Sequence, residues 1–156
     1  AEAQSAGDAL ARVAASNSIF ISRGDDSGTH KKELGIWRQA GVKPEGAWYR
    51  EAGQGMGKVL QIADESDGYA LTDRGTWLAY RDKSRLRVAY EGHEALFNPY
   101  AIIAISRQRY PDLNHIGAWA LIEWIRGDAG QQAIASYRRS GDQLFKPSAN
   151  QVATVD

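Results

Sequence analysis

A polar turn that contains two glycines lies directly between an apolar run and a helical pattern. Residues 19–21 read Ile-Phe-Ile, residues 22–29 read Ser-Arg-Gly-Asp-Asp-Ser-Gly-Thr, and the pattern over residues 30–37 is typical of a helix. A strand that ends in such a turn and opens into a helix exposes free backbone N–H groups, which attract anions together with the helix dipole. Arg23 adds a fixed cation with several donors. The segment is therefore predicted to bind an oxyanion.

The side chains of this turn also have purely structural interpretations. Arg23 could be a surface residue paired with Asp25 or Asp26, and Ser27 could do no more than cap the helix. Capping and binding are compatible, because the backbone N–H groups of residues 28–29 can serve a ligand while a side chain caps. The two aspartates are expected to be dipole partners, turn formers or ion-pair partners rather than ligands of an anion.

The totals of the chain exclude several classes of protein. Of its 156 residues, 43% are hydrophobic, which is enough for a packed core and argues against disorder. The 19 basic and 19 acidic residues balance, so nothing indicates a nucleic-acid partner or an anionic membrane surface. There is no cysteine, which removes disulfides, thiolate chemistry and cysteine-ligated metals. No stretch approaches the ~20 apolar residues of a membrane span, and no signal-peptide pattern is visible at Ala1.

Strand and helix patterns alternate along the chain and predict an α/β fold. The predicted strands and extended pieces are residues 19–22, 47–50, 69–72, 86–91 and 100–106. The predicted helices are residues 8–16, 28–40, 58–64, 115–127 and 129–138, with one more starting at residue 77. The turns at 22–29, 53–57 and 72–76 are polar or rich in glycine. In an open α/β sheet such turns gather at the carboxyl ends of the strands, where ligands bind.

Other motifs fail on their spacing. The turn at residues 53–57 has Ala52 where a phosphate loop needs its first glycine, and Val59 where it needs a hydroxyl, so nucleotide hydrolysis is rejected. The pair Ser27 and His30 does not make a catalytic triad. The His93-Glu94 pair lacks the second histidine of a zinc helix, and no metal site is predicted.

Four motifs resemble, in order and approximate spacing, those of the tungstate-binding proteins of bacterial ABC importers. They are residues 22–33, Trp48-Tyr49 with residues 51–57, residues 69–76, and residues 96–100. The resemblance implies a type II periplasmic-binding-protein-like α/β fold, in which two lobes and a hinge close a cleft on tungstate or molybdate. It implies no cofactor, and an anion bound through its own oxygens. The implied oxyanion contacts are Arg23, Ser27, Gly28 and Thr29, and the possible cleft or hinge residues are Ser22, Gly55, Thr72, Asp73 and Arg74.

The same resemblance divides the chain into four parts. Residues 1–17 would be a connector helix, 18–92 the second, anion-binding lobe, 93–145 the hinge return and the C-terminal part of the first lobe, and 146–156 a polar tail. The Thr/Ser-rich motif with which family members begin their first lobe is missing here. The segment 100–106 and the helices of 115–138 are therefore expected to expose an apolar patch. A missing first-lobe fragment or a homodimer partner would cover that patch.

The function implied is that of the substrate-binding component of an ABC importer that captures tungstate or molybdate. It would be no enzyme, its partner would be the transporter permease, and its location would be periplasmic, or extracellular and membrane-associated. One alternative is an oxyanion-sensing regulatory domain that reuses the same fold. Another is an anion-handling transferase with Asp26 or Asp73 as general base.

Overall fold

The computed structural model describes residues 3–149. Within it the chain divides into two compact units, and the boundary falls between Asn98 and Pro99. The first unit contains α1 (Ala6–Ala15), β1 (Phe20–Ser22), α2 (Gly28–Gln39), β2 (Tyr49–Glu51), α3 (Met56–Glu65) and α4 (Arg74–Tyr80), with short 3-10 turns at Arg81–Lys83 and Glu94–Leu96. The second contains α5 (His115–Arg126), α6 (Asp128–Ser136), β3 (Arg138–Arg139) and β4 (Asp142–Gln143).

The short strand β1 is the centre of the first unit. It pairs in parallel with β2, in a register that sets Phe20 opposite Tyr49 and Ser22 opposite Glu51. On its other side Tyr69 forms a parallel bridge to Phe20. Since all three segments run the same way, the turns that follow them lie at one edge of the sheet, as the sequence predicts.

Helices cover both faces of β1, which explains why all three residues of this strand are buried. Successive side chains of a strand point to opposite faces. Phe20 therefore packs with Val13 of α1 and Trp37 of α2, and its ring meets the Trp37 ring edge-on with the centroids 5.2 Å apart. Ile21 faces the opposite way, into a cluster formed with four side chains of α3: Met56, Val59, Leu60 and Ala63.

Capping side chains set the helix starts. Ser5 accepts a hydrogen bond from the Asp8 amide, so α1 begins at Ala6, two residues earlier than predicted. The Asp73 carboxylate caps α4 in the same way, so this helix begins at Arg74 rather than at Trp77. The α2 helix starts and ends close to the predicted positions, and Gly41 just beyond it has the left-handed φ of +67° typical of a helix stop.

Two predicted strands are wrong. Residues 86–91 and 100–106 have the apolar patterns of strands, yet neither segment is in a strand or helix. A strand exists only where a neighbour accepts its backbone hydrogen bonds, and no described strand lies beside either segment. The predicted strand 69–72 is likewise reduced to its single bridge at Tyr69.

The second unit exposes apolar side chains over residues 100–105 and the surface of α5, as the sequence predicts. Ile103 and Ile116 are 84% and 86% exposed, whereas Ile122 is the one large apolar side chain buried among the described residues of this unit. α6 ends at Ser136 instead of residue 138, because Arg138 and Arg139 enter a short hairpin with β4. Of the predicted polar tail, residues 150–156 lie outside the described residues. Over residues 3–149, none of the helices is both long and apolar enough to span a membrane.

Candidate oxyanion site

The candidate site begins where β1 ends. Ser22 is the last residue of β1 and is fully buried, and the chain then turns through Gly24 and Asp26, both of which have a φ of +58°. A Cβ at Gly24 would lie 2.7 Å from the Cβ of Glu51, the last residue of β2. Both the left-handed conformation and the close approach of the chain therefore require glycine at position 24.

The start of α2 leaves two backbone donors available. The Ser27 hydroxyl oxygen accepts a hydrogen bond from the His30 amide at 3.3 Å, and the Ser27 carbonyl accepts from the Lys31 amide at 2.9 Å. The amides of Gly28 and Thr29 precede these bonds in the helix, and no described residue accepts from them. Ser27 therefore caps the helix, which is the structural role considered for it from the sequence. The N–H groups of Gly28 and Thr29, which the sequence assigns to a ligand, are left without an acceptor among the described residues.

Arg23 is held beside this helix start by Asp25. The Arg23 Nε and Nη2 atoms both donate to Asp25 Oδ2, at 3.0 Å and 2.5 Å, and Asp25 Oδ1 accepts from the Ser27 amide at 3.2 Å. The hydrogen bonds from Ser27 and from the Arg23 guanidinium lower the pKa of Asp25 to about 2, so this carboxyl is ionised near neutral pH. Asp25 occupies one edge of the guanidinium, and the Nη1 hydrogens of Arg23 remain available to another acceptor.

His30 is buried against the turn and forms a hydrogen bond with its backbone. The residue is 7% exposed, and its Nδ1 atom accepts a hydrogen bond from the Asp26 amide at 3.1 Å. A ring nitrogen that accepts carries no proton, so the neutral ring has its hydrogen on Nε2. Nε2 has no hydrogen-bond partner within residues 3–149 and lies 3.7 Å from Glu51 Oε1.

Sequence reasoning missed the role of Glu33. This residue is 1% exposed, and its carboxylate accepts hydrogen bonds from Ser22 Oγ at 2.8 Å, Tyr49 OH at 2.9 Å and Trp37 Nε1 at 3.2 Å. Burial raises the pKa of Glu33, and the three donors oppose that rise. One side chain thus ties α2 to both strands. Its spacing was the available signal, because Glu33 lies three and four residues before the buried Ile36 and Trp37.

The remaining predicted residues lie at the starts of the next two helices. Gly55 is the N-cap of α3, and Asp73 is the N-cap of α4, where its carboxylate accepts from the Thr76 amide at 2.8 Å. The Thr72 hydroxyl donates to the Asp73 carbonyl, and Arg74 pairs with Glu91. No hydrogen bond or ion pair among the described residues joins any of these four to Arg23 or Ser27, whereas Ser22 lies directly before Arg23.

Comparison with known proteins supplies the family. Residues 2–129 match a family model described as a PBP superfamily domain. The chain belongs to the PBP superfamily. Within residues 3–149, no group of three histidine, aspartate or glutamate side chains is placed to hold a metal ion.

Two relatives of this chain carry names that refer to anion binding. A putative ABC transporter anion-binding protein of Haloferax volcanii is 47% identical over 94% of this chain and 44% of its own length. The tungstate-binding protein TupA of Peptoclostridium acidaminophilum is 43% identical over 90% of this chain and 50% of its own length. The chain thus spans about half the length of these relatives.

A solved structure confirms the α/β periplasmic-binding-protein fold. The tungstate ABC transporter structure from Geobacter sulfurreducens is 46% identical and superposes with a TM-score of 0.78, covering 86% of this chain and 57% of that chain. The resemblance to tungstate-binding proteins, drawn from four motifs, is therefore confirmed.

Proposed function

We propose that this chain supplies the anion-binding side of a substrate-binding component of an ABC importer, with tungstate or molybdate as the ligand. The observation that carries the proposal is the convergence, on one turn after β1, of the Arg23 guanidinium with the unbonded amides of Gly28 and Thr29. The names of the relatives support the ligand class.

The chemistry of the turn suits a tetrahedral dianion. The two amides and the N-terminus of α2 offer partial positive charge, and Arg23 offers a full charge that Asp25 orients. The hydroxyls of Ser27 and Thr29 would add donors, the Ser27 hydroxyl by turning its hydrogen from the Asp25 carboxylate to the ligand. Donors fixed before the ligand arrives cost little reorganisation when it binds.

The proposed binding involves no reaction, and we therefore propose that the protein acts without catalysis. Both carboxylate oxygens of Asp73 accept hydrogen bonds from Thr76. Among residues 3–149 no hydrogen bond or ion pair orients the Asp26 carboxylate, and its amide alone is bonded, to His30, which leaves the transferase alternative without a supporting observation. The regulatory alternative is not favoured, since one relative is named as an ABC transporter anion-binding protein and one similar solved structure as a tungstate ABC transporter. The partner would be the importer permease, and the location periplasmic, or extracellular and membrane-associated.

A first-lobe segment, of the kind that the additional length of the relatives provides, is proposed to cover the apolar surface of the second unit. In this scheme residues 18–92 form the second lobe, residues 93–145 return to the first, and residues 1–17 connect them. Light scattering and intact mass test this. A monomer longer than 156 residues supports the cover, a stable dimer of 156-residue chains shows that a second copy provides it, and a 156-residue monomer contradicts both.

Isothermal titration calorimetry of the full-length protein with tungstate, molybdate and sulfate tests the proposed function. We expect saturable heat with tungstate or molybdate. Arg23→Ala should weaken binding by about tenfold or more, since a charge-assisted hydrogen bond contributes roughly 1.5–3 kcal/mol. Arg38→Ala is the matched control, because Arg38 lies in the last turn of α2, at the opposite end of this helix from the site. Absence of heat with all three anions would refute the proposal.

A further inference from the structure

The geometry points to His30 as a positioning residue for the oxyanion turn, which acts through the Asp26 amide and does not touch the ligand. This inference rests on the proposed function. Its basis is a buried side chain whose one hydrogen bond goes to the backbone of the turn itself, from Asp26 N to His30 Nδ1 at 3.1 Å.

Asp26 needs such a partner. It is a non-glycine residue with a φ of +58°, a conformation that costs about 1–2 kcal/mol for an L-residue. A hydrogen bond from its amide to a buried acceptor offsets part of that cost. Without this acceptor, the turn between Arg23 and Ser27 would lose the hydrogen bond that holds the Asp26 amide.

Two reciprocal bonds between His30 and the turn decide which amides stay available. The His30 amide donates to the Ser27 hydroxyl, and the His30 ring accepts from Asp26, in an arrangement related to a capping box. These bonds use the N–H groups of Asp26 and His30, and Asp25 accepts from the N–H of Ser27. The two N–H groups left over are the pair that would face an anion.

The other ring nitrogen adds a reason for histidine at this position. Nε2 carries the hydrogen of the neutral ring and lies 3.7 Å from Glu51 Oε1, where the carboxylate attracts the N–H dipole. Glu51 also lies against Gly24, at the other end of the same turn. The ring therefore lies between the turn and the end of β2, with Nδ1 toward the Asp26 amide and Nε2 toward Glu51.

A pair of amide variants separates the acceptor role from simple packing. In His30→Asn the side-chain oxygen can take the place of Nδ1, whereas in His30→Gln the polar atoms reach only the place of Nε2. We expect His30→Gln to weaken tungstate binding about five- to tenfold, as the loss of one hydrogen bond predicts, and His30→Asn to recover most of that loss. Calorimetry on full-length protein, with thermal unfolding of each variant, gives the comparison.

The outcomes distinguish the proposed function from the positioning role of His30. No tungstate binding by the wild type refutes the proposed function. Wild-type binding with equal affinities for both variants, whether unchanged or equally reduced, overturns the positioning role and leaves the function intact. Should a variant fail to fold, the wild type decides by NMR: a nitrogen–nitrogen coupling across the Asp26–His30 hydrogen bond, retained with tungstate bound, supports the role, and its absence overturns it.

Discussion

Replacing Gly24 with alanine tests the geometry of the turn most sharply. The left-handed φ of +58° costs an L-residue about 1–2 kcal/mol. The new Cβ would lie 2.7 Å from the Glu51 Cβ, and forcing a methyl group into occupied space costs roughly 1–3 kcal/mol more. Alanine has less conformational entropy than glycine in the unfolded chain, and this difference stabilises the folded state by about 0.4–1 kcal/mol. Gly24→Ala should therefore lower the free energy of unfolding by about 3 kcal/mol.

Alanine substitutions at two other glycines separate the cost of the left-handed conformation from the cost of the close contact with Glu51. Gly41 has a φ of +67° and no atom within 4 Å of an added Cβ, so Gly41→Ala should cost only the conformational part, about 1 kcal/mol. Gly35 lies inside α2 with equally open space, and Gly35→Ala should stabilise by about 0.5–1 kcal/mol. Urea unfolding followed by tryptophan fluorescence measures all three, because Trp37 is buried in this unit. If Gly24→Ala costs no more than Gly41→Ala, the close approach to Glu51 is not a constraint.

Three further predictions concern the pKa values of Glu33 and Asp25 and the burial of Ile116 by a first-lobe segment. Burial raises the pKa of Glu33 above 4.5, so the folded protein keeps the Glu33 proton to higher pH than the unfolded chain does. The wild type should therefore lose stability relative to Glu33→Gln as the pH rises from about 4 to 7. A stability difference that stays constant with pH in urea unfolding would contradict this. For Asp25, whose pKa falls to about 2, the stability advantage over Asp25→Asn should be present at pH 5 and fade as the pH falls below about 4, and an advantage that persisted to pH 2 would be inconsistent with the ion pair. Ile116→Ala should destabilise the full-length protein by about 2 kcal/mol if a first-lobe segment buries this side chain, whereas an unchanged melting temperature would argue against the cover.

The strand, turn and helix that form the candidate site could be predicted because their signals are local. A short apolar run, a serine cap and a change to helical spacing occur within residues 19–37, and the structure places β1 and α2 there. The three N-terminal turns also meet at one edge of the sheet, since parallel pairing follows from the alternation of strands and helices.

The errors arose where the outcome depends on distant residues. The apolar pattern of residues 100–106 suits a strand, but a strand needs a neighbour, and none is present among the described residues. The spacing of Glu33 indicates that it lies on the buried face of α2, but its hydrogen-bond partners follow only once β1 and β2 bring Ser22 and Tyr49 to its carboxylate. Neither fact can be read from the local sequence, because each depends on contacts between separate segments.

The most direct test of the central claim is the location of the tungsten atom in a crystal of the full-length protein grown with tungstate. Tungsten scatters anomalously, so its position is found without reference to the surrounding density. We expect one strong peak at the start of α2, with ligand oxygens at about 2.7–3.1 Å from the amides of Gly28 and Thr29 and from the Arg23 guanidinium. A tungsten atom bound elsewhere, with this turn occupied by water alone, would contradict it.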